Sequence, residues 1–365
     1  MDFDFSSEQD QLREAVGTWV RRSYTFERRR QIEKSSGFSK EAYAELTALG
    51  LPALLLGEED GGLGLGPVEM MVVMEELGRG IVLEPLMQAF LASWILARSR
   101  AQEAPAWRES VASGASLVAL AYQEPGARYE LSACTTTATP GEAGSHWSLQ
   151  GQKSLVAAGD EADAFIVPAT TAQGLALFWV DRNDPGVALG SYRTLDGARV
   201  AHLSLNGAKA HLITQEGDAT LQATVDLGIA CTCAEGVGVM EAMLAEVLEY
   251  LNVRKQFGVP LASFQALRHR VADMKTQLEL ARSMSYLATL KLNDAPAERH
   301  LAASRAKYQL GCAMRFVGQQ GIQLHGGIGM TDECVVSHYF KRLTQLEMTF
   351  GDTAYHLGQM SAACR

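Results

Sequence analysis

Apolar residues recur at helical spacing from Ser6 to about residue 100, and this pattern begins with a capping signal. Ser6 stands three residues before Gln9, which is the spacing of a capping box. Further along, a glycine-rich turn precedes Pro67, and a proline there is typical of the first turn of a helix. The pattern predicts an all-helical N-terminal domain over residues 1–112.

The texture changes between residues 113 and 216, where short apolar runs are separated by Gly, Asp, Asn and Pro. These runs are Ser116–Tyr122, Ala164–Pro168, Leu175–Val180 and Ala201–Leu205. Runs of this length predict strands, and no helical crossover pattern lies between them. We therefore expect a middle β domain that is a sandwich or a barrel rather than a parallel sheet.

A helical period returns in the last part of the chain and predicts a C-terminal four-helix bundle over residues 217–365. One helix face carries an apolar stripe formed by Met240, Met243, Leu244, Val247, Leu248 and Leu251. The long segments 264–292 and 299–324 show the same period, and we expect short turns at Asp294–Pro296 and Gly326–Gly327. The predicted fold class is thus multi-domain, with α, β and α parts in that order.

Composition and charge narrow the classes of partner. The 365 residues are 47% hydrophobic and 20% charged, which is enough to bury more than one core. A net charge of −10 without a Lys/Arg block argues against nucleic acid or a membrane surface as partner. The first residues lack a basic stretch followed by an apolar one, and no long apolar run occurs, so we expect a cytoplasmic protein without membrane insertion.

The cysteines and histidines indicate no metal or nucleophile chemistry. Six cysteines lack paired C-x-x-C spacing, and we expect them to be buried free thiols. No His, Cys, Asp and Glu set has metal-ligand spacing, and no G-x-S-x-G elbow is present.

The first motif with chemical content lies between two predicted helices. Arg254 ends one helix, a Gly-Pro turn follows with Phe257, and the chain re-enters a helix at Gln265. A guanidinium fork beside such a turn suits a pyrophosphate, while Phe257 and Gln265 suit the wall and the hydrogen-bonding edge of an adenine. Alone, the motif would favour a solvated Arg and a core Phe over a binding site.

A second motif, Gln323-Leu-His-Gly-Gly-Ile-Gly329, follows a long helix and supplies glycines whose backbone N–H groups can close on a dinucleotide. Together with Arg254 and with Tyr339-Phe-Lys-Arg342, it makes the sequence similar to the acyl-CoA dehydrogenase family. The resemblance extends over nearly the whole chain. It includes Leu46–Leu51, Gly57–Leu65, Glu75–Arg79, Glu124–Ala127 and Leu149–Lys153.

The resemblance implies an FAD cofactor, an acyl-CoA substrate and an electron-transfer flavoprotein as partner. In this family FAD binds between the β domain and the C-terminal bundle, and some contacts reach a neighbouring subunit's flavin. The positions that the resemblance assigns to FAD are Tyr122, Gln123, Arg254, Phe257, Gln265, Gln323, Gly326, Gly327 and Gly351. The family's reaction removes an α-proton with a glutamate while the β-hydrogen leaves as hydride, which gives a 2-enoyl-CoA.

The catalytic base is where the sequence departs from the family pattern. The usual glutamate position is occupied by Phe350, or by Gly351 if one residue is inserted, and the alternative position on the preceding helix is Gly228. The carboxylates nearest in sequence are Asp226, Glu235, Glu347 and Asp352. Asp352 is our candidate for the base, and the alternative is that it caps a helix starting near Thr353. For Asp226 we expect a role as the cap of a helix that begins near Leu227.

The β domain departs as well. The family's flavin-facing Trp-Ile-Thr segment is Leu155-Val-Ala157 here, and a phosphate-contacting Ser is replaced near Arg128. Relatives that form heterotetramers share a site between subunits, one of which brings the glutamate. The leading hypothesis is therefore an acyl-CoA dehydrogenase subunit that works with a paralogous chain, or with copies of itself. The alternatives are a non-catalytic partner of another subunit, or a flavoenzyme acting on a compound such as a nitroalkane.

Overall fold

The computed structural model describes residues 4–141 and 146–363. The N-terminal part is helical, as predicted, and contains two short 3₁₀ turns besides its α-helices. These helices are α1 (Ser7–Arg22), α2 (Phe26–Ser35), α3 (Lys40–Ala48), α4 (Pro67–Arg79), α5 (Leu86–Leu96) and α6 (Ala104–Ala112). The capping box is confirmed, since Ser6 accepts from the backbone of Gln9 and the Gln9 side chain accepts from the backbone of Ser6.

The middle part is a single sheet of seven strands. Its strands are β1 (Val118–Leu120), β2 (Thr137–Pro140), β3 (Trp147–Ala157), β4 (Ala164–Thr171), β5 (Gly174–Asp181), β6 (Val187–Arg193) and β7 (Arg199–Thr214). The pairings β4–β2, β2–β3, β3–β7, β7–β5 and β5–β4 close the sheet on itself, so the barrel form of the prediction is correct. Its interior is filled by apolar side chains including Leu149, Phe165, Phe178 and Leu203.

The C-terminal part is a helical bundle, as predicted. Its helices are α7 (Gly217–Val253), α8 (Gln265–Leu290), α9 (Pro296–His325), α10 (Val335–Met348) and α11 (Thr353–Ala363). A hairpin of β8 (Lys255–Gln256) and β9 (Val259–Pro260) joins α7 to α8, and a 3₁₀ helix over Gly326–Met330 follows α9. The α9 helix begins at Pro296, where the missing N–H of proline costs no hydrogen bond.

The chain divides into two compact units, each assembled from separate segments of sequence. One contains Met1–Gln31, Pro67–Val82 and Ile229–Arg365, and the other contains Ile32–Gly66 and Leu83–Gly228. The first holds the bundle, and the second holds the barrel. The domain boundaries expected from the sequence, 1–112, 113–216 and 217–365, remain a prediction.

Helices α4 and α7 pack closely because two glycines leave room for the backbone of the opposite helix. A Cβ added at Gly238 would collide with the carbonyl oxygen of Glu75, and one added at Gly78 would collide with that of Glu235. Backbone contact of this kind requires a residue without a side chain, so these positions fix the distance between the two helices.

Two expectations need correction. Asp226 is not the cap of a helix starting near Leu227, because α7 already begins at Gly217 and Asp226 lies inside it. The five cysteines of the described residues are free, but only Cys231 and Cys233 are fully buried, while Cys364 lies outside the described residues.

Helix α7 is also long and apolar enough to cross a membrane, yet 89% of its apolar window is buried within the protein, as expected of a core helix.

Candidate functional site

The hairpin after α7 holds Phe257 in an exposed and strained position. Its two turn residues both have left-handed backbone angles, with φ of 54° at Phe257 and 82° at Gly258. Such a turn matches the twist of a two-residue hairpin, but a large non-glycine residue adopts it only at a cost. Phe257 is 91% exposed, so its edge-to-face contact with the Phe264 ring, at 6.1 Å between centroids, offsets little of this cost. The hairpin therefore presents an aromatic ring for a contact outside its own unit.

Arg254 and Gln265 lie at the two ends of this hairpin connection. The N–H of Leu261 donates to the Arg254 carbonyl at 2.8 Å, which brings the end of α7 back to the start of α8. Both Arg254 and Gln265 are exposed, and Gln265 is the first residue of α8. A helix N-terminus carries a partial positive charge, and Arg268 and Arg270 follow on its first turns, so this corner suits an anion.

The glycine motif is brought next to the hairpin by two contacts between helices. The His325 ring stacks on Tyr250, with ring centroids 4.4 Å apart, which places the end of α9 beside the end of α7. The Arg270 guanidinium donates to the Gln320 side-chain oxygen at 2.7 Å, which ties the start of α8 to the same end of α9. The two motifs are thus part of one surface of the bundle.

The glycine turn itself is open. Gln323, Gly326 and Gly327 are exposed, and no other atom of the described residues lies within 4 Å of a Cβ added at either glycine. Gly326 has φ of 66°, which a residue with a side chain rarely adopts. The neighbouring His325 donates its Nδ1–H to the Gly321 carbonyl oxygen at 3.0 Å, and burial lowers the pKa of the ring, which is therefore neutral near pH 7. We call the surface formed by Arg254, Phe257, Gln265, Gln323, Gly326 and Gly327 the bundle face.

In the barrel unit, Tyr122 and Gln123 are half-buried and lie directly before a buried carboxylate, Glu124. Glu124 accepts from Lys153 Nζ at 2.7 Å and from the backbone N–H groups of Thr135 and Thr136 at 2.7 and 3.0 Å. Burial raises the pKa of Glu124, but these bonds and the Lys153 charge outweigh it and hold that pKa below its ordinary value. The segment carrying Tyr122 and Gln123 is therefore fixed by a charged, fully bonded anchor.

Leu155, at the position where the resemblance implies a flavin-facing indole, lies in a bulge of β3. Lys153 pairs with Leu203 but Val156 with Ala201, so one extra residue is accommodated between them. Leu155 has φ of 54° and is 49% exposed, and its backbone is hydrogen-bonded to the Tyr192 hydroxyl. The bulge keeps an apolar side chain outside the barrel, but it provides no hydroxyl at Ala157.

The segment that carries the family's usual base position holds no proton acceptor at that position. Phe350 is 6% exposed and has φ of 58°, and Gly351 has φ of 116°. A Cβ at Gly351 would collide with the His356 ring, so glycine is required there for packing. Asp352 accepts from the Tyr355 backbone N–H at 2.8 Å and thereby caps α11. The geometry supports the capping alternative, and a catalytic role for Asp352 remains a prediction.

The other carboxylates named from the sequence are all engaged. Glu235 pairs with Arg342 at 2.6 Å, and Glu347 accepts from the Thr353 hydroxyl at 2.6 Å and pairs with Arg315 at 3.0 Å.

Asp226 is fully buried and accepts from Gln222 at 3.1 Å. None of these groups is presented as an isolated base. Among residues 4–141 and 146–363, no group of three or more His, Cys, Asp and Glu side chains could hold a metal ion.

Sequence reasoning missed the residues that hold the site together. The Glu124–Lys153 pair lies within two segments that the resemblance had marked, yet a spacing of this kind does not predict a contact across a barrel. The sequence does not predict the Tyr250–His325 stack, because its only local sign is an aromatic residue one helical turn before Arg254.

Comparison with known proteins gives concordant results. Sequence profiles described as the N-terminal, middle and C-terminal domains of acyl-CoA dehydrogenase match residues 6–114, 119–210 and 215–364. Acyl-CoA dehydrogenase FadE27 of Mycobacterium tuberculosis is 30% identical over 364 residues, covering 96% of this chain and 95% of that protein.

Two solved structures, each 28% identical, have a TM-score of 0.91. One is a Tcur3481-Tcur3483 steroid ACAD variant, with 98% of this chain and 97% of that chain covered. The other is the ChsE4-ChsE5 complex from Mycobacterium tuberculosis, with 100% and 99% covered. The chain belongs to the acyl-CoA dehydrogenase family.

Proposed function

We propose that this chain is a flavin-binding subunit of an acyl-CoA dehydrogenase that oxidises the Cα–Cβ bond of a CoA thioester together with a paralogous chain. The observation that carries the proposal is the contrast, within the unit that holds the bundle, between the bundle face and the base position. The bundle face is intact and exposed, while the base position is occupied by the buried Phe350.

The residues of the bundle face fit a dinucleotide. Arg254 offers planar donors for a pyrophosphate, the open Gly326–Gly327 turn offers backbone N–H groups, and Gln265 offers an amide edge for the adenine. When bound, FAD would accept the β-hydrogen of the thioester as hydride. The residues of this chain would bind and orient that cofactor, and a charge-assisted bond from Arg254 is worth about 1.5–3 kcal/mol.

The exposure of Phe257 supports a flavin held partly by another subunit. A ring that is 91% exposed on a strained hairpin gains burial only when a second chain or its cofactor covers it. We infer that Phe257 and Arg254 contact the adenosine diphosphate portion of a neighbouring subunit's FAD. This role persists whether or not the chain has a base of its own.

The missing base supports a heteromeric enzyme. An α-proton beside a thioester is only weakly acidic, so its removal requires a carboxylate positioned over the substrate. Phe350 cannot accept a proton, and Asp352 is already used by the α11 helix. In the proposed arrangement the paralogous subunit supplies the glutamate. The names of the two solved relatives, a steroid ACAD and a two-chain complex, agree with this arrangement and favour a bulky acyl group as substrate.

Electrons would leave the complex to an electron-transfer flavoprotein, which is the acceptor that family membership favours. A second candidate is a subunit that stabilises its partner without holding flavin itself. That candidate is favoured by the Leu155 bulge, where the indole and hydroxyl of the usual flavin wall are absent.

The test is to purify the chain alone and after co-expression with a paralogue encoded beside it. FAD content per chain and the acyl-CoA-driven loss of flavin absorbance are measured for both. We expect full flavin and bleaching only for the pair. Bleaching by the lone chain would contradict the shared site, and a pair whose flavin is retained when Arg254 is replaced by Ala would favour the purely structural candidate.

A further inference from the structure

A buried lysine lies beneath the segment that carries residue 350. Lys307 belongs to α9 and has no exposed surface. Its Nζ donates to the carbonyl oxygens of Glu347 and Gly351, each at 2.8 Å. One side chain therefore satisfies two backbone carbonyl groups, one at the end of α10 and one in the residue just before Asp352. Burying a charged group in a helical bundle costs free energy, so hydrogen bonds from Lys307 must offset that cost.

A second buried side chain bonds the carbonyl between these two. His356 of α11 is fully buried, and its Nε2 lies 3.0 Å from the Phe350 carbonyl oxygen. Its Nδ1 lies 3.3 Å from the Ser304 hydroxyl of α9. Burial, followed by the Lys307 charge, lowers the pKa of His356 to about 3, so the ring is neutral. Nε2–H must then donate to Phe350 while Nδ1 accepts from Ser304.

Side chains secure the rest of the segment. The Glu347 carboxylate accepts from the backbone N–H of Thr353 at 3.1 Å and from its hydroxyl at 2.6 Å. Gly311 of α9 leaves room for that hydroxyl, since a Cβ there would collide with it. The carbonyls of residues 347, 350 and 351 are thus all held from inside the bundle, and the left-handed angle at Phe350 is maintained by these bonds.

The lysine is adapted to this buried place. Burial lowers the pKa of Lys307 to about 8, while Cys233, Glu347 and Asp352 oppose that effect. Both the ammonium and the neutral amine keep enough N–H groups for the two carbonyls. The clamp therefore persists on either side of neutral pH.

We propose that Lys307 and His356 form an internal clamp that fixes the backbone of Glu347–Asp352 and thereby positions residue 350 against the acyl-CoA. They are positioning residues, because they act through the backbone and not on the substrate. The inference rests on the proposed function, in which residue 350 lies on the substrate side of the site. A segment held in this way can shape the thioester pocket even where it contributes no base.

The test compares three variants of the full-length protein, purified with its partner chain if it has one. Lys307→Met removes both donations with little change in volume, and His356→Phe removes the third. His356→Gln keeps an N–H donor near the position of Nε2 and serves as the conservative rescue. Leu278→Ala is the matched control, because it opens a cavity in the same bundle at a residue of α8 that is 1% exposed and whose apolar side chain forms none of the hydrogen bonds to residues 347–353.

Two measurements separate the clamp from the proposed function. Hydrogen exchange of amides 347–356 reports the segment, and binding of octanoyl-CoA and cholyl-CoA reports the pocket. We expect Lys307→Met and His356→Phe to speed exchange there by at least about tenfold and to weaken thioester binding by about tenfold or more. His356→Gln should restore both, and Leu278→Ala should leave both unchanged while lowering the melting temperature.

Unchanged exchange in Lys307→Met would overturn the clamp. Faster exchange with unaltered thioester affinity would overturn the positioning role. A parent protein that binds neither thioester would contradict the proposed function and with it the ligand part of this inference, while the exchange data would still decide on the clamp.

Discussion

Glu124 is the residue whose chemistry is best defined by its surroundings. It is 4% exposed, and its partner Lys153 is 1% exposed, so neither charge is solvated. Removing one member of such a pair leaves the other charge uncompensated in the barrel. The cost of that loss exceeds the worth of the pair itself.

Glu124→Gln should therefore lower the free energy of unfolding by about 3–5 kcal/mol at pH 7, measured by urea denaturation. The folded-state pKa of Glu124 lies below the ordinary 4.5, so its contribution is complete above that pH and is lost as the pH falls through the folded value. The difference between parent and variant should narrow below pH 4.5. Glu109→Gln, an exposed carboxamide control on α6, should stay within about 0.5 kcal/mol of the parent. A pH-independent difference would show that the anchor does not depend on charge.

Phe257 gives the opposite case, a residue whose conformation is costly and whose ring is exposed. Phe257→Asn should leave the stability of the chain within about 0.5 kcal/mol, because Asn tolerates the left-handed angle and little buried surface is lost. FAD retained by the purified protein, read from its absorbance, should fall.

The control for Phe257 is Leu290→Gln, which removes a side chain 52% exposed at the far end of α8. That end is about 38 Å from Gln265 at 1.5 Å per residue, so the FAD content of this variant should not change. Equal flavin loss in both variants would mean that exposed apolar surface in general, and not the hairpin, holds the cofactor.

At the scale of elements, replacing either of two helical glycines by alanine should change the stability of the protein, but in opposite directions. At Gly238 in α7 a Cβ would meet the Glu75 carbonyl of α4, whereas at Gly358 in α11 no atom of the described residues lies within 4 Å. Gly238→Ala should cost about 1–3 kcal/mol through overpacking, and Gly358→Ala should gain up to about 1 kcal/mol from helix propensity. The melting temperature should therefore be lower than that of the parent for Gly238→Ala and slightly higher for Gly358→Ala. A stabilised Gly238→Ala would mean that α4 and α7 move apart without cost.

The sequence predicted elements well where one local signal was sufficient. The capping box at Ser6, Pro67 at the start of α4 and the stripe of α7, apart from the exposed Leu248, all depend on neighbours within a few turns. Strands β2, β3 and β6 were not predicted, because polar, glycine or proline residues interrupt them and no apolar run marks them. The closure of the barrel depends on pairings between strands far apart in sequence, which no local pattern contains.

In the candidate site, too, local motifs were predictable and contacts between distant segments were not. The motifs at Arg254 and at Gly326 were visible as sequences, and their resemblance to the family was confirmed. Their proximity depends on the Tyr250–His325 stack and the Arg270–Gln320 bond, which join separate helices. The left-handed angle at Leu155 could not be foreseen either, because leucine gives no signal for a bulge.

At the scale of the whole molecule, the proposed function combines two properties, a surface for a dinucleotide and a base position without a proton acceptor. The first property is carried by exposed residues of the bundle face, and the second by a buried Phe350 in a segment held by Lys307 and His356. A chain of this kind is suited to complete a site whose base comes from elsewhere.

The most direct test of the central claim uses the co-purified pair and two variants of this chain. Arg254→Ala removes the proposed pyrophosphate donor, and Asp352→Asn removes the candidate base while keeping a side chain that caps α11 equally well. We predict that Arg254→Ala weakens FAD binding by about 10–100-fold, whereas Asp352→Asn retains FAD and acyl-CoA-driven bleaching within about twofold of the parent. A pair that keeps its FAD but no longer bleaches with Asp352→Asn would show that this chain carries its own base and would contradict the shared site.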